Sequence, residues 1–214
     1  MICGVDEAGR GPVLGPMVVA AVAIEDDAPL RQMQVRDSKK LTPARREELA
    51  AKIVEICQVE YRVISHEEID DRGPKTSLNE LEAVAFASLI DRLRSDTVYV
   101  DACDVNEEHF KHMVSGKLSY RPRIICEHKA DDSYPIVSAA SIIAKTNRDR
   151  IVSEIKAEIG QEIGSGYASD PTTIAFLQKW IKEKGDLPPY TRRSWATAKE
   201  AMSSSKNAKL TDWV

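Results

Sequence analysis

Three short apolar runs in this chain each close on carboxylates. Ile2-Cys3-Gly4-Val5 precedes Asp6-Glu7, Val98-Tyr99-Val100 precedes Asp101, and Ile124-Ile125-Cys126 leads through His128-Lys129-Ala130 to Asp131-Asp132. A strand that ends on acid gives up β-propensity and concentrates like charge, so the ending needs a cause outside the strand. In open α/β sheets ligands gather at the carboxyl ends of strands, where carboxylates from several strands can converge on one crevice. Hard oxygen donors without His or Cys at zinc spacing suit Mg²⁺ or Mn²⁺, and Mg²⁺ held by carboxylates commonly works on phosphates. Taken alone, the glycine-rich segment from Asp6 to Val13 also reads as an ordinary acidic turn. The repetition at three strand ends favours a metal site.

The remaining pattern alternates strands with helices. Met17 to Ile24 predicts a strand in a hairpin with the first, Tyr61–Ile64 a third, and residues 123 to 126 the last. Thr42-Pro43 supplies an N-cap and a first-turn proline for a helix through about Cys57. Ser77 caps a second helix to about Leu93, with Leu78, Leu81, Val84, Ala85 and Leu89 on one face, and Val105 to Met113 reads as a short helix. Pro135 to Ile159 is a long helical pattern whose small residues, Val137-Ser138-Ala139-Ala140-Ser141, would let it approach the sheet closely, and Asp170-Pro171 starts another helix. This order predicts an α/β fold, a mixed sheet flanked by helices, with a helical C-terminal region.

With 214 residues, 43% of them hydrophobic, the chain can bury one good core. Residues 1–202 are expected to form one domain and 203–214 a flexible tail that begins at Ser203-Ser204-Ser205. No apolar run reaches about 18 residues and no basic segment precedes an apolar one at the N-terminus, so membrane insertion and secretion are not expected. Four scattered cysteines without a CxxC pair fit reduced thiols in the cytoplasm. The net charge of -4 suits a nucleic-acid enzyme poorly until it is divided: residues 1–139 carry -7 and residues 140–214 carry +3. A basic surface beside an acidic metal pocket can hold a polyanion, although Lys179, Lys182 and Lys184 read better as a solvated helix face.

Six segments in order carry a closer likeness: Asp6-Glu7-Ala8-Gly9-Arg10-Gly11-Pro12, Asp37-Ser38-Lys39-Lys40-Leu41, Tyr99-Val100-Asp101, His128-Lys129-Ala130-Asp131, Ser138 to Lys145, and Gly164-Ser165-Gly166-Tyr167-Ala168-Ser169-Asp170-Pro171. Over roughly residues 1 to 200 the chain resembles ribonuclease HII, the type 2 ribonuclease H, in its archaeal form. The resemblance implies a ribonuclease H-like fold and a monomer acting in replication and repair. It implies hydrolysis of the RNA strand of RNA/DNA hybrids and cleavage 5′ of ribonucleotides embedded in duplex DNA, leaving 3′-hydroxyl and 5′-phosphate ends. It also implies Asp6, Glu7, Asp101 and Asp131 as ligands of Mg²⁺ or Mn²⁺, with Asp132 the rival for the fourth place. Two such ions about 4 Å apart would activate water, stabilise the pentavalent charge and assist the leaving oxygen. Gly9-Arg10-Gly11 would grip the ribonucleotide, Tyr167 would pack against the following deoxy sugar, and Lys39, Lys40 and Lys145 would contact phosphate.

Physical reasons accompany these assignments. Telling RNA from DNA needs a contact to the 2′-hydroxyl, and glycines expose backbone groups for it. Tyr167 equally reads as an aromatic that anchors its loop. Adjacent strand residues face opposite sides, so Asp6 and Glu7 share a site only where the strand ends or twists. Asp104 reads as structural, His109 and His112 as exposed helix histidines, His128 as an orienting partner or an aid to proton transfer, and Trp195 as core. Asn207, Leu210 and Trp213 resemble a short clamp-binding motif, with Asn in place of glutamine and Val214 in place of the second aromatic; a tail folded back on the domain is the other reading. A noncatalytic nucleic-acid-binding adaptor would be favoured by a lost carboxylate, and all four are present.

Overall fold

Strand β2 (Met17–Ile24) is apolar throughout and buried up to its last residue, and it holds β1 (Ile2–Ala8) in antiparallel register from Ile2 opposite Ile24 to Ala8 opposite Val18. β1 therefore continues through Asp6 and Glu7 instead of ending at Val5 as the sequence suggested. Pairing with an unbroken apolar neighbour outweighs the poor strand propensity of two acids. The computed structural model describes residues 1–35, 41–73 and 75–211, with 205–211 by backbone alone. Its five-stranded mixed sheet has the order β3-β2-β1-β4-β5, with β3 at Gln58–Ile64, β4 at Thr97–Asp101 and β5 at Arg123–Glu127.

β1, β4 and β5 run parallel. The β1–β4 register stops at Val5 opposite Val100, whereas β4 stays with β5 to Asp101 opposite Glu127. The β1–β4 pairing thus ends just before Asp6 and Asp101, at the carboxyl ends of the strands, where ligands bind in such sheets.

Helices start where capping residues satisfy their first amides. Thr42 accepts from the Arg45 amide at the head of α2 (Pro43–Ile56), after a short α1 (Ala28–Gln32). Ser65 caps α3 (His66–Asp71), and Ser77 with Glu80 forms a reciprocal capping box on α4 (Leu78–Leu93). Asn106, not Val105, opens α5 (Glu107–Ser115), because its side chain accepts from the His109 amide while Val105 stands 97% exposed. α6 (Ala130–Ser133) leads into α7 (Pro135–Ile159), and Asp170 caps α8 (Pro171–Lys184). α9 (Ala196–Thr211) is helical through Ser203-Ser204-Ser205, where a flexible linker was expected.

The chain folds into two compact units, one of residues 1–8, 18–63 and 74–148, the other of 9–17, 64–73 and 149–214. In the first, Phe86 of α4 meets Phe110 of α5 edge to face at 5.5 Å, and Gly4 lets the start of α7 come against β1. A Cβ at Gly4 would stand 2.3 Å from the Ile136 carbonyl oxygen, so the close helix-to-sheet approach expected from small residues depends on this glycine too. In the second, Val13, Leu14, Ile155, Ile163, Phe176, Leu177, Ile181, Leu187 and Ala198 form a buried cluster. Among the described residues, no helix is long and apolar enough to cross a membrane.

Candidate active site

In the first unit, Asp6 is buried to 4% exposure, with Oδ1 accepting the Glu7 amide at 2.7 Å. Burial, then the charges of Glu7 and of Asp101, push its carboxyl well above the usual carboxylate range, against a hydrogen bond from Ser141 and the Glu7 amide. Asp101 Oδ1 accepts the Ala130 amide at 2.8 Å. That amide is aimed by Lys129, which turns the chain from β5 into α6 with a left-handed φ of +56°, a conformation costing a lysine about 1 kcal/mol. Next to Ala130, Asp131 is 3% exposed and its carbonyl accepts the Ser138 hydroxyl, whereas Asp132 is exposed. Lys145 lies half-buried on α7.

Among the described residues no three His, Cys, Asp or Glu groups close into a finished cage. Mg²⁺ does not require one, since it keeps several waters and is held by one or two carboxylates together with substrate phosphates. The donor chemistry fits a hard divalent cation. At the end of two parallel strands the charges of Glu7 and Asp101 add to the burial that raises Asp6, and a cation there would offset that charge.

The second unit gathers the glycine loop and Tyr167. Gly9 has φ of +88°, a backbone state that other residues enter only with strain, and a Cβ on Gly11 would lie 3.6 Å from Cε1 of Tyr167. The Gly166 carbonyl accepts the amides of Val13 at 2.8 Å and Leu14 at 3.2 Å. Asp170 holds the other side of the tyrosine loop by accepting the Ser165 amide at 2.7 Å and its hydroxyl at 2.8 Å. Arg192, fully buried, donates from Nε to Gly15 O at 3.0 Å, from Nη1 to Arg10 O at 2.8 Å and from Nη2 to Gly9 O at 2.6 Å.

Asp104, His109 and His112 have the structural and exposed places expected of them. Asp104 accepts from the Asn106 amide, His109 and Asn79, and these bonds hold its carboxyl down at about 2. His112 Nδ1 sits 2.6 Å from the Glu108 carbonyl. His128 places its ring nitrogens 3.3 Å from the carbonyls of Ala102 and Val105, on the segment that follows Asp101. Trp195 packs against the second core and also donates Nε1 to Gly11 O at 3.3 Å, a bond the sequence did not foretell. Ser138 and Ser141 were likewise missed as partners of the acidic residues in the first unit, and Arg192 as a partner of the glycine loop in the second. The two serines carried a signal, one turn apart at the head of the helix that follows the last acidic segment, while Arg192 carried none nearby. Lys39, Lys40 and Trp213 lie outside the described residues; Asn207 and Leu210 lie on the α9 backbone.

The sequence matches the family model of ribonuclease HII over residues 3–198. A curated ribonuclease HII of Methanococcus maripaludis is 46% identical over 221 residues, covering 100% of this chain and 92% of that protein. The crystal structure of the ribonuclease H2 of Pyrococcus horikoshii aligns with a TM-score of 0.89 at 43% identity, covering 96% of this chain and 98% of that one. The ribonuclease HII in the PCNA:RNase HII complex of Archaeoglobus fulgidus aligns at 0.87 and 43%, covering 94% and 96%. The mixed sheet is thus the ribonuclease H-like fold, and the chain belongs to the ribonuclease HII family of metal-dependent endoribonucleases, which act on RNA/DNA.

Proposed function

We propose that the chain cleaves 5′ of a ribonucleotide embedded in duplex DNA, as well as the RNA strand of hybrids, leaving 3′-hydroxyl and 5′-phosphate ends. The observation that carries this reading is the buried Asp6 carboxyl, raised in pKa first by burial and then by Glu7 and Asp101, just past the last β1–β4 pair. Asp6, Glu7, Asp101 and Asp131 would hold two divalent ions, Mg²⁺ or Mn²⁺, which when bound supply an activated water and a counter-charge for the scissile phosphate. The burial of Asp131 beside the amide that binds Asp101 favours it over the exposed Asp132 for the fourth place. Ser141 orients Asp6, the Ala130 amide orients Asp101, and Ser138 ties down the Asp131 backbone. Backbone of Gly9-Arg10-Gly11 receives the ribonucleotide, Tyr167 stands against Gly11 to meet the next sugar, and Lys145, with Lys39 and Lys40, contacts phosphate.

The relative solved with PCNA supports a clamp contact for this chain, and the tail motif makes Asn207, Leu210 and Trp213 the residues that would carry it. Asp101→Asn tests the ligand assignment. Cleavage should fall at least about a thousandfold while duplex affinity stays within a few-fold, because the lost charge holds metal and not nucleic acid. Cleavage near the wild-type rate would show that Asp101 is not a ligand.

A further inference from the structure

We infer that Arg192 is the positioning residue of the glycine loop, fixing which edge of its peptides the nucleic-acid backbone meets; this rests on the reading that Gly9-Arg10-Gly11 receives the substrate. Every nitrogen of the buried guanidinium is aimed at a backbone carbonyl: Gly9 O, Arg10 O and Gly15 O. The Arg192 amide donates to Val13 O at 2.8 Å, and the guanidinium lies 5.0 Å over the ring of Trp195, whose Nε1 reaches Gly11 O. Carbonyls of residues 9, 10, 11, 13 and 15 are therefore all drawn to one short segment, Arg192 to Trp195.

In a trans peptide the C=O and the following N–H point in opposite directions, and the described residues contain no cis bond. With the carbonyls of Gly9 and Arg10 turned onto Arg192, the N–H groups of peptides 9–10 and 10–11 face the other way. The loop hides its negative edges and presents its positive ones, the sense that suits a phosphodiester. A lysine cannot reproduce this, because one nitrogen on a flexible stem cannot span three carbonyls fixed by a planar fork. The buried Arg192 thus sets the sign of the field at the loop without touching substrate.

Arg192→Lys and Arg192→Ala in the full chain test this. For each, the urea midpoint is measured, then the Kd in Ca²⁺ for a duplex with one ribonucleotide and for the same all-DNA duplex, and finally KM and kcat in Mg²⁺. Folded Arg192→Lys should bind the ribonucleotide duplex at least about tenfold more weakly, lose most of its preference over all-DNA, and show the change in KM with kcat within about threefold. A folded variant with wild-type affinity and preference overturns the inference. If neither variant folds, the amide signals of Arg10 and Gly11 in the wild-type chain are followed while the ribonucleotide duplex is added. Shifts at both support the inference, and still signals while the duplex binds overturn it. Failure of the wild-type chain itself to prefer the ribonucleotide duplex refutes the proposed function and this inference together, and is seen before any variant is read.

Discussion

Gly4→Ala should destabilise the chain and disable the site by one steric event. The new Cβ would stand 2.3 Å from the Ile136 carbonyl oxygen, 2.4 Å from its carbon and 2.6 Å from the Val137 nitrogen, all backbone atoms that cannot swing aside. Ordinary contact begins near 3.4 Å, so the start of α7 must retreat from β1 by about 1 Å. Overpacking of this kind costs about 1–3 kcal/mol, and a clash with backbone belongs at the upper end. For a chain of 214 residues, about 3 kcal/mol corresponds to a fall in Tm of about 6–12 °C. The same helix carries Ser138 and Ser141, which hold the Asp131 carbonyl and the Asp6 carboxylate. A shift of about 1 Å lengthens both bonds, so kcat should fall by at least about tenfold at temperatures where the variant is still folded. Calorimetry and single-turnover cleavage measure the two effects. A variant with Tm within about 2 °C of wild type and full activity would refute the tight helix-to-strand contact and its link to Asp6.

Three further outcomes are expected. Tyr167→Ala should reduce cleavage at a lone ribonucleotide more than cleavage within an all-RNA strand, because only the first substrate presents a deoxy sugar beside the scissile step; equal losses in parallel rate measurements would make Tyr167 a loop anchor only. Asp170, held down at about 2 by the Ser165 and Thr172 bonds, stabilises the fold above its unfolded value of 3.8, and that contribution is lost as pH falls through about 2. Asp170→Asn should therefore lose less stability than wild type between about pH 5 and about pH 2, and identical pH profiles of Tm would contradict the assignment. Titration of a PCNA clamp against the full chain and a chain ending at Ser205 should show weaker binding by the shorter one; indistinguishable affinities would remove Leu210 and Trp213 from the contact.

Features coded by neighbouring residues were legible in the sequence. The Thr42-Pro43, Ser77 and Asp170-Pro171 caps sit at the heads of α2, α4 and α8, and β2 and α7 have the bounds that their apolar and small-residue patterns suggest. The acids at the ends of β1 and β4 were visible because charge at the end of an apolar run has few other causes. Features set by distant pairing were not. Asp6 and Glu7 stay in β1 because β2 pairs with them, which no property of the two acids announces. Arg192 reaches Gly9 across 183 positions, so its carbonyl partners have no local signature. Ser203-Ser204-Ser205 read as a linker since serine competes with helix hydrogen bonds, yet it continues a helix already started at Ala196.

The most direct test of the account is cleavage of a DNA duplex carrying one ribonucleotide, with Mg²⁺, with Mn²⁺ and with chelator. The account predicts one incision 5′ of the ribonucleotide, a 3′-hydroxyl on one product and a 5′-phosphate on the ribonucleotide-bearing other, no cut in the all-DNA duplex, and no reaction in chelator. Incision at other positions, products with 2′,3′-cyclic phosphate ends, or undiminished cleavage in chelator would contradict it.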